Sequence, residues 1–332
     1  MVMVIIGGHI DLSVGSVAGF TGAIVAVLMM QFQLEWWLAV VVGLIVGGLA
    51  GAFQGFWVAF VGIPSFIVTL AGMLIFRGLT LALIGANNIG QFPAEFTYFG
   101  AGYVSAGGDA DIDWLTILIG VAIAASIIVW QLQARRKKLS HNERVASMGM
   151  FVAGLIVVSA AVLVITFALA RYRGLPVVAV LLIILGVGYT VLMKRSVLGR
   201  HIYAVGGNRK AAQLSGVKDR RVDFFLFVNM GVLAALAGVV LTARLNLATS
   251  GAGAGFELEA IAAAFVGGAA VQGGSGTIAG ALVGGLTIGI INNGMSIMGL
   301  GSQWQQTVLG IVVLLFVAFD IWNKRRRAQS AV

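Results

Sequence analysis

The chain has 332 residues, 60% of them hydrophobic and 10% charged, with a formal net charge of +9 and a mean hydropathy of +1.02. Soluble domains are typically about 45–50% apolar and about 25% charged, so a water-soluble globule with one core is excluded, as is a disordered chain. The absence of cysteine excludes a disulfide scaffold, thiolate catalysis and Cys-ligated metal sites.

These limits leave an all-α polytopic membrane protein. A transmembrane β-barrel shows short segments of alternating polarity, whereas the apolar runs here, such as 177–193 and 311–321, are long and unbroken. One span takes roughly 20 mostly apolar residues, which limits the chain to about ten. The 47 glycines point to closely packed helices, because small residues let helix backbones approach one another.

In chain order, residues 1–9 read as the remnant of a span whose beginning is missing, without the basic region or cleavage site of a signal peptide. Spans follow at 10–30, 38–60, 65–84, 114–130, 150–170, 176–193, 224–244, 259–272, 277–293 and 306–323. The pair within 259–293 is short, and is either two pieces or one broken, re-entrant element. The expectation is nine to ten transmembrane or half-membrane helices in one domain spanning 1–332.

Basic residues fall in three clusters: Arg135, Arg136, Lys137, Lys138 and Arg144; Lys194, Arg195, Arg200, Arg209, Lys210, Lys218, Arg220 and Arg221; and Lys324, Arg325, Arg326 and Arg327. With alternating spans all three land on one side, which the positive-inside rule makes cytoplasmic. That side receives the loops 131–149 and 194–223 and the tail 324–332. Glu35, Glu95, Asp109, Asp111 and Asp113 fall outside, the last four in the external loop 85–113; only Arg171 and Arg173 run against the scheme. The net positive charge is therefore a topology signal, and nucleic-acid binding is not expected.

Gly15-Ser16-Val17-Ala18-Gly19 and Gly276-Thr277-Ile278-Ala279-Gly280 share a pattern, with Gly7-Gly8 and Gly267-Gly268 upstream nearly in step. The expectation is an internal repeat, parallel rather than inverted, whose breaks meet near the membrane midplane as in many transporters. Candidate path or break residues are Asp11, Ser13, Gly15, Ser16, Gly267, Gly268, Gly273, Gly274, Gly276, Asn292 and Asn293. Asp11 reads foremost as a structural cap of the following span, with a proton-relay carboxylate as the alternative. Glu257 and Glu259 are expected to cap the Ala-rich segment, and Arg77 to snorkel or to pair internally.

Gly43, Gly47, Gly51 and Gly55 form a bare stripe on one helix face, and Gly276, Gly280 and Gly284 form a second, continued by Gly285 and Gly289. Intramolecular packing is the leading reading for both, with a dimer contact or sliding gate as the alternative.

In the longest cytoplasmic connection, Asn208 can cap a short helix over 209–215 and Gly216 can end it. Such an element is either a solvated positive-inside loop, which composition favours, or a dock for a soluble partner. Leu214-Ser215-Gly216 matches part of an ATPase signature by coincidence, since no G-x-x-x-x-G-K-[ST] phosphate cradle exists in the chain. His9, His141 and His201 lack metal-ligand spacing, and no G-x-S-x-G nucleophile elbow is present. Neither a metal nor an enzymatic role is expected.

Several segments, in order, resemble the permease subunits of bacterial sugar ABC importers, the group serving ribose, galactose, arabinose and xylose. They are IDLSVGS at 10–16, PSFIVTLAG at 64–72 with FRG at 76–78, GRHIYAVGGNRKAAQLSGV at 199–217, ELEAIAAAFVGGAAVQGGSG at 257–276 and NNGM at 292–295. The extra pair of spans within 114–170, followed by YRGLP at 172–176, is most similar to the xylose-type members. The resemblance implies an inner-membrane subunit, N-terminally truncated, that pairs with a second permease copy in the lipid bilayer. An ABC ATPase carrying ATP and Mg²⁺ would dock beneath, and a periplasmic or lipoprotein sugar-binding protein would deliver substrate from above. It further implies that Gly206, Gly207, Asn208, Ala211, Ala212, Leu214, Ser215 and Gly216 form the loop coupled to the ATPase, with Ala212 among the small residues seating in its cleft. The rival is an ion-gradient-driven secondary transporter, for which Asp11 is the one good internal acid.

Overall fold

The computed structural model describes residues 1–105, 112–140 and 147–329. Asp109, Asp111, His141 and Arg144 lie outside the described residues, as do the side chains of Lys138, Asp320, Lys324, Arg325, Arg326 and Arg327. The elements, in order, begin with α1 (Val2–Ile6), α2 (Val14–Met30), α3 (Trp36–Phe56), which runs on into a π turn (Trp57–Val61), and α4 (Ser65–Ile84). Next come β1 (Ile89–Gly90), α5 (Ala94–Ala101), β2 (Tyr103–Val104), α6 (Trp114–Ser140), α7 (Met148–Ala170), β3 (Leu175–Pro176) and α8 (Val177–Arg195). The chain continues through α9 (Val197–Gly207), α10 (Arg209–Leu214), α11 (Asp219–Leu245), β4 (Leu247–Ala248), α12 (Phe256–Val266), α13 (Ile278–Ile297) and α14 (Ser302–Gln329).

Seven helices among the described residues are long and apolar enough to cross a membrane, and α2 and the 303–318 part of α14 are shorter apolar helices. Each of the ten expected spans corresponds to a helix. The span expected at 259–272 is α12, only 11 residues, or about 17 Å at 1.5 Å per residue. That is roughly half of a ~30 Å hydrocarbon core, so α12 alone is too short to cross one. Two boundaries differ from expectation. Helix α6 reaches Ser140, so Arg135, Arg136 and Lys137 ride on its last turns rather than in a loop. Helix α13 reaches Ile297, so Asn292 and Asn293 lie inside it.

The chain divides into two compact units: residues 101–181, and residues 1–100 with 182–332. The smaller unit holds the extra pair of spans. Its α6 and α7 pack together, with Gly120 against Thr166, and β2 pairs antiparallel with β3 (Tyr103↔Pro176, Val104↔Leu175). The guanidinium groups of Arg171 and Arg173, which ran against the charge scheme, lie over the rings of Phe167 and Tyr172.

The larger unit is built around α2, α3 and α11. Its close packing is what the glycine stripe on α3 permits: a Cβ at Gly47 or Gly51 would collide with the α11 backbone at Gly231 or Phe227, and one at Gly43 with Val25 of α2. The second stripe divides. Gly280 and Gly284 press against Gly267 and Ala263 and join α13 to α12, whereas Gly289 faces open space. At the far end of the unit, β1 pairs with β4 (Ile89↔Ala248) and the N–H of Phe92 donates to Asn246 Oδ1 at 2.8 Å. Helix α5 then places Phe96, fully buried, among Val25, Val239 and Ala243.

Candidate coupling and translocation site

Two helices in the larger unit stop in the same way. At the end of α1, Gly8 (φ +84°) lets its own N–H bond the Ile5 carbonyl at 2.9 Å and that of His9 bond the Val4 carbonyl at 3.0 Å. At the end of α12, Gly268 (φ +86°) lets its N–H bond Phe265 at 2.9 Å and that of Ala269 bond Ala264 at 3.0 Å. Both are Schellman stops, in which a residue with positive φ closes two crossed hydrogen bonds over the last turn. The Gly-Gly half of the expected repeat is therefore structural. The other half is not: Gly15 lies inside α2, while Gly276 precedes Thr277, the N-cap of α13, whose hydroxyl accepts the Gly280 N–H at 2.9 Å. Those two glycine motifs share a sequence but not a position.

The two breaks meet. The N–H of Gly274 donates to the Ile6 carbonyl at 2.8 Å, and Gly206 of α9 lies so close to the same carbonyl that no side chain fits there. The Tyr203 hydroxyl, also on α9, donates to the Gly276 carbonyl at 2.8 Å. Its burial raises the Tyr203 phenol above its ordinary pKa. The junction thus lies against α9, in the loop that the charge pattern makes cytoplasmic.

Beyond Gly8 the chain runs without regular structure into α2. Ser65, at the start of α4, accepts the Ile10 N–H on its hydroxyl at 3.3 Å, so IDLSVGS and PSFIVTLAG are neighbours. Asp11 is buried and accepts both the N–H and the hydroxyl of Ser13, at 2.8 and 2.7 Å. It therefore closes a turn over the next two residues and does not cap the first turn of α2; the N-cap is Ser13, whose side chain makes no capping bond. Gln54 of α3, 1% exposed, completes the network: its Nε2 and Oε1 lie 2.8 and 3.0 Å from Ser13 Oγ. A crevice too narrow to admit a water molecule lies here, lined by Asp11, Ser13, Gln54 and Met230 among others. Ser13 and Ser16 are buried, while Ser275 and Thr277 are exposed.

Across α12 and α13, Asn292 Nδ2 donates to Glu259 at 2.9 Å, and its buried Oδ1 has no partner among the described residues. Asn293 is exposed. Neither Glu257 nor Glu259 caps α12; both occupy its first turn, where the helix dipole favours an acid. Arg77 is exposed on α4.

The short helix expected after Asn208 forms as its sequence predicts, over Arg209–Leu214. Asn208 accepts the Ala211 N–H at 3.0 Å, and Gly216 (φ +83°) closes the far end. Its faces differ from expectation. Ala212 points inward, 4% exposed, because α10 lies flat on its own chain, whereas Leu214 is 91% exposed. Gly207, Asn208, Ala211, Ser215 and Gly216 are exposed with it, and Gly206 is half-buried.

One cluster escaped sequence reasoning. Asp223 of α11, 4% exposed, accepts two bonds from Arg209 (2.6 and 3.2 Å) and lies 2.9 Å from His9 Nε2. Arg209 also pairs with Asp219 at 3.1 Å. Partial burial works against the charge of Arg209, but Asp223 and Asp219 outweigh it and raise the guanidinium above its ordinary value. The sequence signal was an acidic pair, Asp219 and Asp223, spaced i, i+4 within a basic loop.

A family profile described as branched-chain amino acid transport system / permease component matches residues 1–317. The chain belongs to this family of membrane transport permeases. It is 34% identical over 326 residues to the xylose transport system permease protein XylH of Haemophilus influenzae, covering 98% of this chain and 85% of that one. Against XylH of Escherichia coli K12 the identity is 36% over 330 residues (98% and 81%), and against the ribose import permease RbsC of Bacillus subtilis 32% over 322 residues (96% and 79%). No solved structure matches. The permease is a multi-pass protein of the bacterial inner membrane, in keeping with its apolar helices.

Proposed function

We propose that this permease is the membrane-spanning half of an ATP-driven, binding-protein-dependent importer of xylose or a closely related monosaccharide, and that it takes no catalytic part itself. The observation that carries this reading is the similarity to the xylose permeases along 98% of the chain. Two copies would enclose the path in the bilayer, an ABC ATPase holding ATP and Mg²⁺ would engage the exposed face of α10, and a sugar-binding protein would deliver substrate on the opposite side.

The physical problem is that sugar hydroxyls lose their water on entering hydrocarbon and need replacement partners. Irregular backbone at membrane depth is tolerated where it is buried in protein or lines a cavity. The breaks at 7–13 and 267–277 supply such backbone, and Ser13, Gln54, Glu259 and Asn292 supply side-chain groups. The contacts of the first break with α9 support a cycle in which movement of the cytoplasmic helices reshapes the breaks. Reconstitution with the ATPase and binding protein, scored for xylose uptake against ribose, galactose and arabinose, tests the reading; the absence of ATP-dependent uptake of any of the four refutes it.

A further inference from the structure

We infer that Asp223 is a positioning residue for transport: it ties the cytoplasmic helix α10 to the helix break at 7–9, so that displacement of one is passed to the other. This inference rests on α10 being the ATPase-facing element.

Asp223 lies near the start of α11, the helix that also packs along α2 and α3. One carboxylate holds two groups from opposite ends of the chain: Arg209, the first residue of α10, through both guanidinium nitrogens, and His9, the residue that completes the Schellman stop of α1. Arg209 Nη2 is itself 3.2 Å from His9 Nε2, and the His9 ring packs edge-on against Phe227 one turn along α11, at 5.6 Å between centroids. A two-point guanidinium–carboxylate contact fixes orientation as well as distance. Rotation of α10 therefore pulls on a carboxylate that also holds the break, whereas a single-point contact would swivel. Earlier in the same loop, Tyr203 and Gly206 touch Gly276 and Ile6. The loop is thus tied to both breaks, and Asp223 supplies the charged tie.

The test uses the complete transporter, permease with ATPase and binding protein, in proteoliposomes. ATPase recruitment, ATP hydrolysis and sugar uptake are measured for wild type, Asp223→Asn, Asp223→Glu, Arg209→Lys and Leu214→Arg. The expected result for Asp223→Asn is normal recruitment, hydrolysis within about twofold of wild type and uptake per ATP at least tenfold lower; Asp223→Glu restores most of the ratio, because it keeps the charge. Arg209→Lys keeps the charge but loses the two-point grip, and lowers the ratio by a smaller factor; it decides the matter alone if Asp223→Asn does not fold. Leu214→Arg instead loses recruitment, and its failure to do so counts against the docking reading and not the tie. A wild-type ratio of uptake to hydrolysis in Asp223→Asn, or in Arg209→Lys where Asp223→Asn is unfolded, overturns the inference.

Discussion

The carbonyl of Ile6 accepts the N–H of Gly274 at 2.8 Å, joining a helix break near the start of the chain to one near its end. Both breaks are Gly-Gly Schellman stops, and both touch the same helix α9. In the transport cycle proposed above, a junction of this kind would let the two breaks move together.

The junction is asymmetric in exposure, which gives the first prediction. The chain has no native cysteine, so single cysteines report cleanly. Cysteine at Ser275 or Thr277 will react with a membrane-impermeant maleimide added to the cytoplasmic side in the absence of ATP, while cysteine at Ser13 or Ser16 will be protected. Equal reactivity at the four positions would show that the breaks are packed otherwise.

Glycines in similar sequence patterns will differ sharply in their tolerance. Gly51→Leu forces a side chain into the α11 backbone, and overpacking of this kind typically costs about 1–3 kcal/mol. Gly289→Leu enters open space. Thermal melts in detergent should show a clear loss for the first and none for the second. A destabilised Gly289→Leu in the isolated permease would mean that α13 carries a neighbour on that face.

Asn208→Ala removes the side-chain bond to the Ala211 N–H, a cap worth about 0.5–2 kcal/mol. Helix α10 will fray, and ATPase recruitment by the purified permease will weaken by roughly fivefold for each 1 kcal/mol lost. Asn208→Ser, which keeps an acceptor, will be close to wild type. The comparison is read from ATPase titration, with membrane insertion as the control.

Much of this was legible in the chain because membranes simplify the code. Backbone groups in hydrocarbon must bond within their own segment, so the long apolar runs predicted the helices, and Asn208 with Gly216 predicted the bounds of α10. The Gly-Gly pairs marked the two stops for the same reason, since positive φ at a helix end favours glycine. Helix α5 and the paired strands β1–β4 and β2–β3 were not foreseen: eight residues, or two, carry no period to detect. The inward face of Ala212 was not readable, because a small residue suits a cleft in a partner and a buried seat on its own chain equally well. The tie at Asp223 was hidden because its partners come from residues 9 and 209, and only the fold brings them together.

The central claim is that the permease moves sugar only with power borrowed from an ATPase bound to its cytoplasmic face. Its most direct test is labelled-xylose uptake into proteoliposomes containing the permease, with and without the ATPase, binding protein and ATP, and with an uncoupler at constant ATP. The account predicts uptake only when all three additions are present, and no effect of the uncoupler. Uptake by the permease without the ATPase, or its collapse under the uncoupler while ATP is held constant, would contradict it.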